Sequence, residues 1–164
     1  PIDGTKEFIK KSTDYTINIA LCEGDKPIFG LVSCPANNDI YYAFKNQGAF
    51  LNNIKIATSK APQKKIKRVI ASKSHMNEDT SKYIEGLKKN FDVELKNYGS
   101  SLKICKIAEG KADIYPRFGP TMEWDTCAAQ IILEEAGGKF RSSDGERLTY
   151  NKENLLNPFF IVEA

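Results

Sequence analysis

Histidine is nearly missing from this chain: 164 residues contain one, His75. Four cysteines, Cys22, Cys34, Cys105 and Cys127, stand far apart with no C-x-x-C pair. The two shortages together argue against a zinc site, which draws its ligands from clustered Cys and His. Thiols scattered in this way suggest no disulfide framework and fit a reducing compartment. No apolar run approaches the roughly 20 residues that span a bilayer, and no signal-peptide pattern occurs. A cytoplasmic location is the expectation, with peripheral contact to an inner membrane left open. Charge of one sign is also in short supply. The formal net charge is +3, from 24 Lys+Arg against 21 Asp+Glu, which gives no reason to expect a nucleic acid or another polyanion as partner. Repeats and low-complexity tracts are absent.

What remains is an ordinary globular composition, 41% hydrophobic and 27% charged, long enough for one domain with a real core. Alternation and β-rich composition predict strands over 15–21, 28–34, 39–45 and 48–52, joined by short turns, hence an antiparallel sheet. The segment from Thr58 to Arg68 is basic and reads as a solvated connector. Beyond it strand and helix alternate. A pattern starts at Val69, and helices are expected near 78–90, 102–109 and 123–136, with strands at 93–97, 112–116, 139–141 and 159–162. Cys127, Ala128, Ile131, Ile132 and Ala136 recur at helical spacing and should face the core. Residues 1–66 thus form a sheet-rich part and residues 67–164 an α/β part of one compact unit.

Two stretches carry candidate chemistry. In Pro1-Ile2-Asp3-Gly4-Thr5 the proline fixes its own φ and Asp3-Gly4 is a turn pair. Thr5 to Lys11 follows as one or two helical turns. A helix N-terminus attracts phosphate, and a glycine there permits close approach of the backbone. Asp3 offers the hard oxygen that Mg²⁺ prefers, and Thr5 a hydroxyl that could orient water. The plainer alternative is that Asp3 or Thr5 caps the helix or turn. The second stretch is Trp124-Asp125-Thr126, where Asp125 opens the longest helix. By itself Asp125 is best explained as charge complementing the helix dipole, and Trp124 as a core aromatic.

The stretches taken together resemble a known family. PIDGTKEF is similar to the core motif of the inositol-monophosphatase superfamily of Mg²⁺-dependent, lithium-sensitive phosphatases, and WDTCAAQIILEEAGG to its second signature. SKSH, GSSLKICKIAEGKADIYPRFGPT and LLNPFF resemble the branch of CysQ-type 3′(2′),5′-bisphosphate nucleotidases. The resemblance implies a mixed α/β layered sandwich of the inositol monophosphatase and sugar phosphatase type, of which this chain would hold the C-terminal two-thirds. It implies that Asp3 and Asp125 ligate Mg²⁺ with the carbonyl of Ile2 on a neighbouring metal. Gly4 and Thr5 would hold the scissile phosphate and help position water. His75, Ser100, Lys103 and Arg117 match positions associated with the second phosphate or the adenosine of a nucleotide bisphosphate.

The implied reaction is metal-assisted hydrolysis of adenosine 3′,5′-bisphosphate to AMP and phosphate, with the sulfated nucleotide as a further substrate, in sulfur assimilation. An inositol-phosphate or sugar-phosphate phosphatase is the alternative within the same chemistry. A chain that starts at Pro1 also reads as a fragment without the family's upstream acidic ligands. Such a fragment is expected to bind metal weakly and hydrolyse poorly, or to act only as a phosphate-binding module. Oligomeric state is not legible in the sequence.

Overall fold

The computed structural model describes residues 2–59, 65–71 and 76–164. His75 and the lysines at 60 and 64 lie outside the described residues. Six strands make the first sheet: β1 (Ile2–Asp3), β2 (Thr16–Glu23), β3 (Lys26–Cys34), β4 (Asp39–Phe44), β5 (Gly48–Leu51) and β6 (Ile54–Ile56). They neighbour one another in sequence order, and every pairing is antiparallel. The expected four strands are present. The two additional ones, β1 and β6, are only two and three residues long, too short to show a period. A short helix, α1 (Thr5–Ile9), lies between β1 and β2 and ends before Lys10 and Lys11, shorter than the sequence suggested.

A second sheet has the order β10-β11-β9-β7-β8. Its strands are β7 (Ile66–Ile70), β8 (Asp92–Lys96), β9 (Ile114–Arg117), β10 (Lys139–Ser142) and β11 (Phe160–Glu163). Strand β7 runs parallel to β8 and β9, whereas β11 runs antiparallel to both β9 and β10. Three helices accompany it: α2 (Glu78–Lys88), α3 (Leu102–Ala108) and α4 (Glu123–Glu135). The end of the basic connector is therefore strand rather than solvated loop. Arg68 pairs with Asp113 (Nη2 to Oδ1 2.5 Å, Nε to Oδ2 3.0 Å), and its Nη1 donates to the Gly110 carbonyl. Here the charge was read as exposed because its partner lies 45 residues away in sequence.

Helices α3 and α4 fill the space between the sheets. The main core joins Val32, Tyr41 and Ala43 of the first sheet to Leu102 and Ile107 of α3, Ile131 to Leu133 of α4, and Phe140, Phe160 and Val162 of the second sheet. Strand alternation then sends Ile114 and Ile161 to the other face, where they meet Ile84 of α2. The α4 positions expected in the core are buried, and Thr126 and Gln130 are buried with them. Trp124 is 58% exposed, which corrects its reading as a core aromatic. Helix α4 presses so closely on β3 that a Cβ on Gly30 would lie 2.3 Å from the Ala128 carbonyl oxygen. The opposite face of the first sheet leaves Ile19, Leu21 and Phe44 exposed.

Candidate active site

Asp3 reaches the helix layer because β1 pairs with β2 in a register that sets Asp3 opposite the fully buried Thr16. One carboxylate oxygen, Oδ2, accepts from the Ser101 N–H at 2.9 Å, from the Ser100 hydroxyl, and from Thr16 Oγ1 at 3.4 Å. Behind it, Thr16 Oγ1 lies 2.8 Å from Ser101 Oγ, which donates to Asn18 Oδ1 at 2.7 Å. No described donor reaches the other oxygen of Asp3. Ser100 adopts a left-handed backbone, φ 51°, which disfavours a side-chain-bearing residue by about 1 kcal/mol or more. The strain sets its hydroxyl against Asp3. Asp3 caps neither α1 nor its turn: α1 is preceded by Gly4 at φ 84° and has no side-chain cap.

Asp125 occupies the first turn of α4, where its Oδ2 accepts from the Met122 N–H at 2.8 Å. The capping role read from sequence is thus present, and it engages only one oxygen. Burial pushes the Asp125 carboxyl above the ordinary aspartate range, and the nearby Asp3 adds to this against the Met122 hydrogen bond. Asp3 and Asp125 line one cavity of about 120 Å³ together with Ser100, Ser101, Lys103, Tyr115, Arg117 and Thr126. An adjoining hollow of about 330 Å³ shares Asp3, Ser100, Lys103 and Arg117 and adds Gly4, Glu7 and Asp14. A third, of about 480 Å³, shares Tyr115, Arg117 and Pro120 and is walled by Ala71, Met76, Pro116 and Phe118.

Among the described residues no carboxylate comes within ion-pair distance of the two cations, Lys103 and Arg117. Arg117 Nη2 donates to the Pro120 carbonyl at 3.1 Å, while its Nε is buried with no described hydrogen-bond partner. Burial and then Arg117 push Lys103 below the ordinary lysine range, against the pull of Asp3, Glu7 and Asp14. Burial pushes the Tyr115 hydroxyl up to about 12, Arg117 working against it. A half-buried pair of cations beside two half-satisfied carboxylates is poised for an anion and a cation together.

Asp3 and Asp125 each keep one oxygen that no described donor engages, and both are hard ligands of the type Mg²⁺ takes. Their donor chemistry therefore fits the metal. The described residues contain no group of three or more His, Cys, Asp or Glu side chains placed to hold an ion. Among the described residues the site offers two side-chain ligands, Asp3 and Asp125, with backbone such as the Ile2 carbonyl. Ile2 and Thr5 are exposed and line neither the first cavity nor the hollow beside it. Ser101 and Tyr115 were missed as individual residues, although both fall inside the GSSLK–PRFGPT stretch. Thr16 carried no signal, since a threonine in a strand is unremarkable by composition.

The chain matches the inositol monophosphatase family over residues 1–158. It is 39% identical to the 3′(2′),5′-bisphosphate nucleotidase CysQ of Salmonella typhimurium over 99% of its own length and 65% of that protein's. With the enzyme of the same name from Buchnera aphidicola the identity is 41%, over all of this chain and 62% of the relative. The crystal structure of CysQ from Bacteroides thetaiotaomicron superposes with a TM-score of 0.92 at 41% identity, covering 100% of this chain and 68% of that one. The chain thus spans slightly under two-thirds of the length of the curated relatives it matches. No described helix is long and apolar enough to cross a membrane.

Proposed function

The chain belongs to the inositol monophosphatase family, and from that membership and its cavity we infer a role in Mg²⁺-dependent hydrolysis of adenosine 3′,5′-bisphosphate to AMP and phosphate. The observation that carries this reading is the meeting, in one cavity, of two half-satisfied carboxylates with two cations that have no described counter-ion. Residues 1–66 supply Asp3, residues 67–164 supply the rest, and the reading treats them as parts of one unit acting in the cytoplasm.

Asp3 and Asp125 would hold one metal and the Ile2 carbonyl a neighbouring one; when bound, such ions supply positive charge to polarise the phosphoryl group and acidify water. Lys103 and Arg117 bind phosphate oxygens, and the buried Nε of Arg117 gains the acceptor it lacks. Ser100 and Ser101 keep the Asp3 carboxylate aimed by holding its inner oxygen. Gly4 lets backbone approach the ligand in the adjoining hollow, and Thr5 positions the attacking water. His75 contributes to the nucleotide side. The largely apolar third cavity, at about 480 Å³, has room for a nucleobase beside Arg117. That volume favours a nucleotide over inositol phosphate. The relatives' printed activity, 3′(2′),5′-bisphosphate nucleotidase, supports the same choice.

Phosphate release by the full-length gene product that contains this chain tests the reading. Adenosine 3′,5′-bisphosphate and its sulfated form should be hydrolysed in a Mg²⁺-dependent manner. A strong preference for inositol monophosphate would overturn the nucleotide assignment, and absence of Mg²⁺-dependent release from either would overturn the enzymatic one.

A further inference from the structure

The LLNPFF stretch near the C-terminus ends at Phe160, which lines the cavity, while Leu155 to Asn157 lie at the entrance to α4. Leu156 bridges Met122 in antiparallel fashion, and the Glu123 N–H donates to the Leu155 carbonyl at 3.0 Å. Asn157 is 4% exposed. Its backbone N–H donates to the Thr121 carbonyl at 2.9 Å. That carbonyl belongs to the same peptide whose N–H, on Met122, holds Asp125 Oδ2 at 2.8 Å. The Asn157 side-chain amide continues the grip, with Nδ2 2.8 Å from the Met122 carbonyl, 3.0 Å from Thr126 Oγ1 and 3.2 Å from Thr121 Oγ1. The Met122 carbonyl can only accept, so the amide nitrogen must face it. Both peptides that flank Met122 are therefore anchored on Asn157, one by its backbone and one by its side chain. The Asn157 Oδ1 has no hydrogen-bond partner among the described residues. A buried amide left half-satisfied is costly, so this residue is held for what its nitrogen does.

We propose that Asn157 is a positioning residue for cation binding: it fixes the Thr121–Met122 turn so that Asp125 presents its second oxygen to the metal. This rests on the reading of Asp125 as a metal ligand. Direct partners of a metal's ligands typically change its affinity by about 10–100-fold when removed, and Asn157, acting one link further out through the Thr121–Met122 peptide, belongs at the low end of that range.

The test is Mn²⁺ binding to the full-length gene product that contains this chain, followed by the electron paramagnetic resonance of free Mn²⁺, in wild type, Asp125→Asn, Asn157→Ala, Asn157→Asp and the double variant Asp125→Asn/Asn157→Ala. Circular dichroism first establishes that each is folded. Either Asn157 variant should weaken Mn²⁺ binding about 10-fold or more. In the Asp125→Asn background the additional loss from Asn157→Ala should vanish, which a general loss of stability would not produce. Unchanged binding in folded Asn157 variants, or equal losses in both backgrounds, overturns the proposal. So does failure of both Asn157 variants to fold. If wild type takes up no Mn²⁺, or Asp125→Asn leaves uptake intact, the metal-ligand reading itself is what fails, and the proposal falls with it.

Discussion

Replacing Gly30 by alanine tests whether the contact of α4 with β3 fixes the distance between layers. The added Cβ would sit 2.3 Å from the Ala128 carbonyl oxygen, 2.6 Å from Ile131 Cγ2 and 3.0 Å from the Ala128 carbonyl carbon. Ordinary contact begins near 3.4 Å, so strand and helix must separate by about 1 Å. Two of the three obstructing atoms are backbone, so no side-chain rotation relieves the overlap. Overpacking of this kind costs about 1–3 kcal/mol, and a backbone obstacle belongs at the upper end. Alanine returns roughly 0.5–1 kcal/mol through its lower backbone entropy in the unfolded chain. The net loss is about 2 kcal/mol, or about 4–8 °C in Tm for a domain of this size. Gly86, exposed on α2 with open space around it, is the control. Alanine there should raise stability by about 0.5–1 kcal/mol. Thermal unfolding followed by circular dichroism measures both. A Gly30→Ala protein within about 2 °C of wild type would refute the claim that helix and strand are in backbone contact.

Other perturbations probe the site and the buried charges. Asp3→Asn and Asp125→Asn should each abolish Mg²⁺-dependent turnover in the full-length product. Asp125→Asn should leave metal-free stability at neutral pH unchanged or raised, because burial and Asp3 disfavour its ionised form; a clear drop in Tm would refute this. Glu109→Ala should destabilise the fold by about 3–5 kcal/mol, since it strands Lys106, whose Nζ lies 2.6 Å from Glu109 Oε1 in the core. Urea unfolding measures that loss, and the paired change Lys106→Met/Glu109→Leu should restore most of it. Glu123 is held below the ordinary glutamate range: burial opposes, but Lys152 and the N–H groups of Lys152 and Asn151 prevail. A depressed carboxylate stabilises the fold above its unfolded pKa, near 4.3, and the gain fades as pH falls through the folded value. The stability gap between wild type and Glu123→Gln should therefore be constant near neutrality and shrink below about pH 4; a gap that widens on acidification would contradict the sign.

The regular elements were legible wherever the physical period had room to repeat. Helix α4 shows core positions at helical spacing over more than three turns, and β2 to β5 alternate between turn residues, so type and order follow from hydrophobic pattern alone. Strands β1 and β6 offered no such repeat. Burial of charge was the other blind spot. Arg68 looks solvated in sequence, because the carboxylate that neutralises it is identified only once strands and helices have packed.

The site shows the same limit in sharper form. Asp3 and Asp125 could be named from motifs, but each has a local explanation as a cap, and Asp125 does cap α4. Only the fold shows why capping is insufficient. It places both carboxylates on one cavity where each uses a single oxygen, and it leaves Lys103 and Arg117 nearby without described counter-ions. Burial first, and then the like charge of Asp3, pushes the Asp125 carboxyl up; burial and then Arg117 push Lys103 down. Ser100 adds backbone strain in the same place. Such costs persist only where something outside the chain relieves them. A cation beside the carboxylates and an anion beside the bases would offset the charge costs together, and a phosphate ester with its metal is one ligand pair that carries both charges.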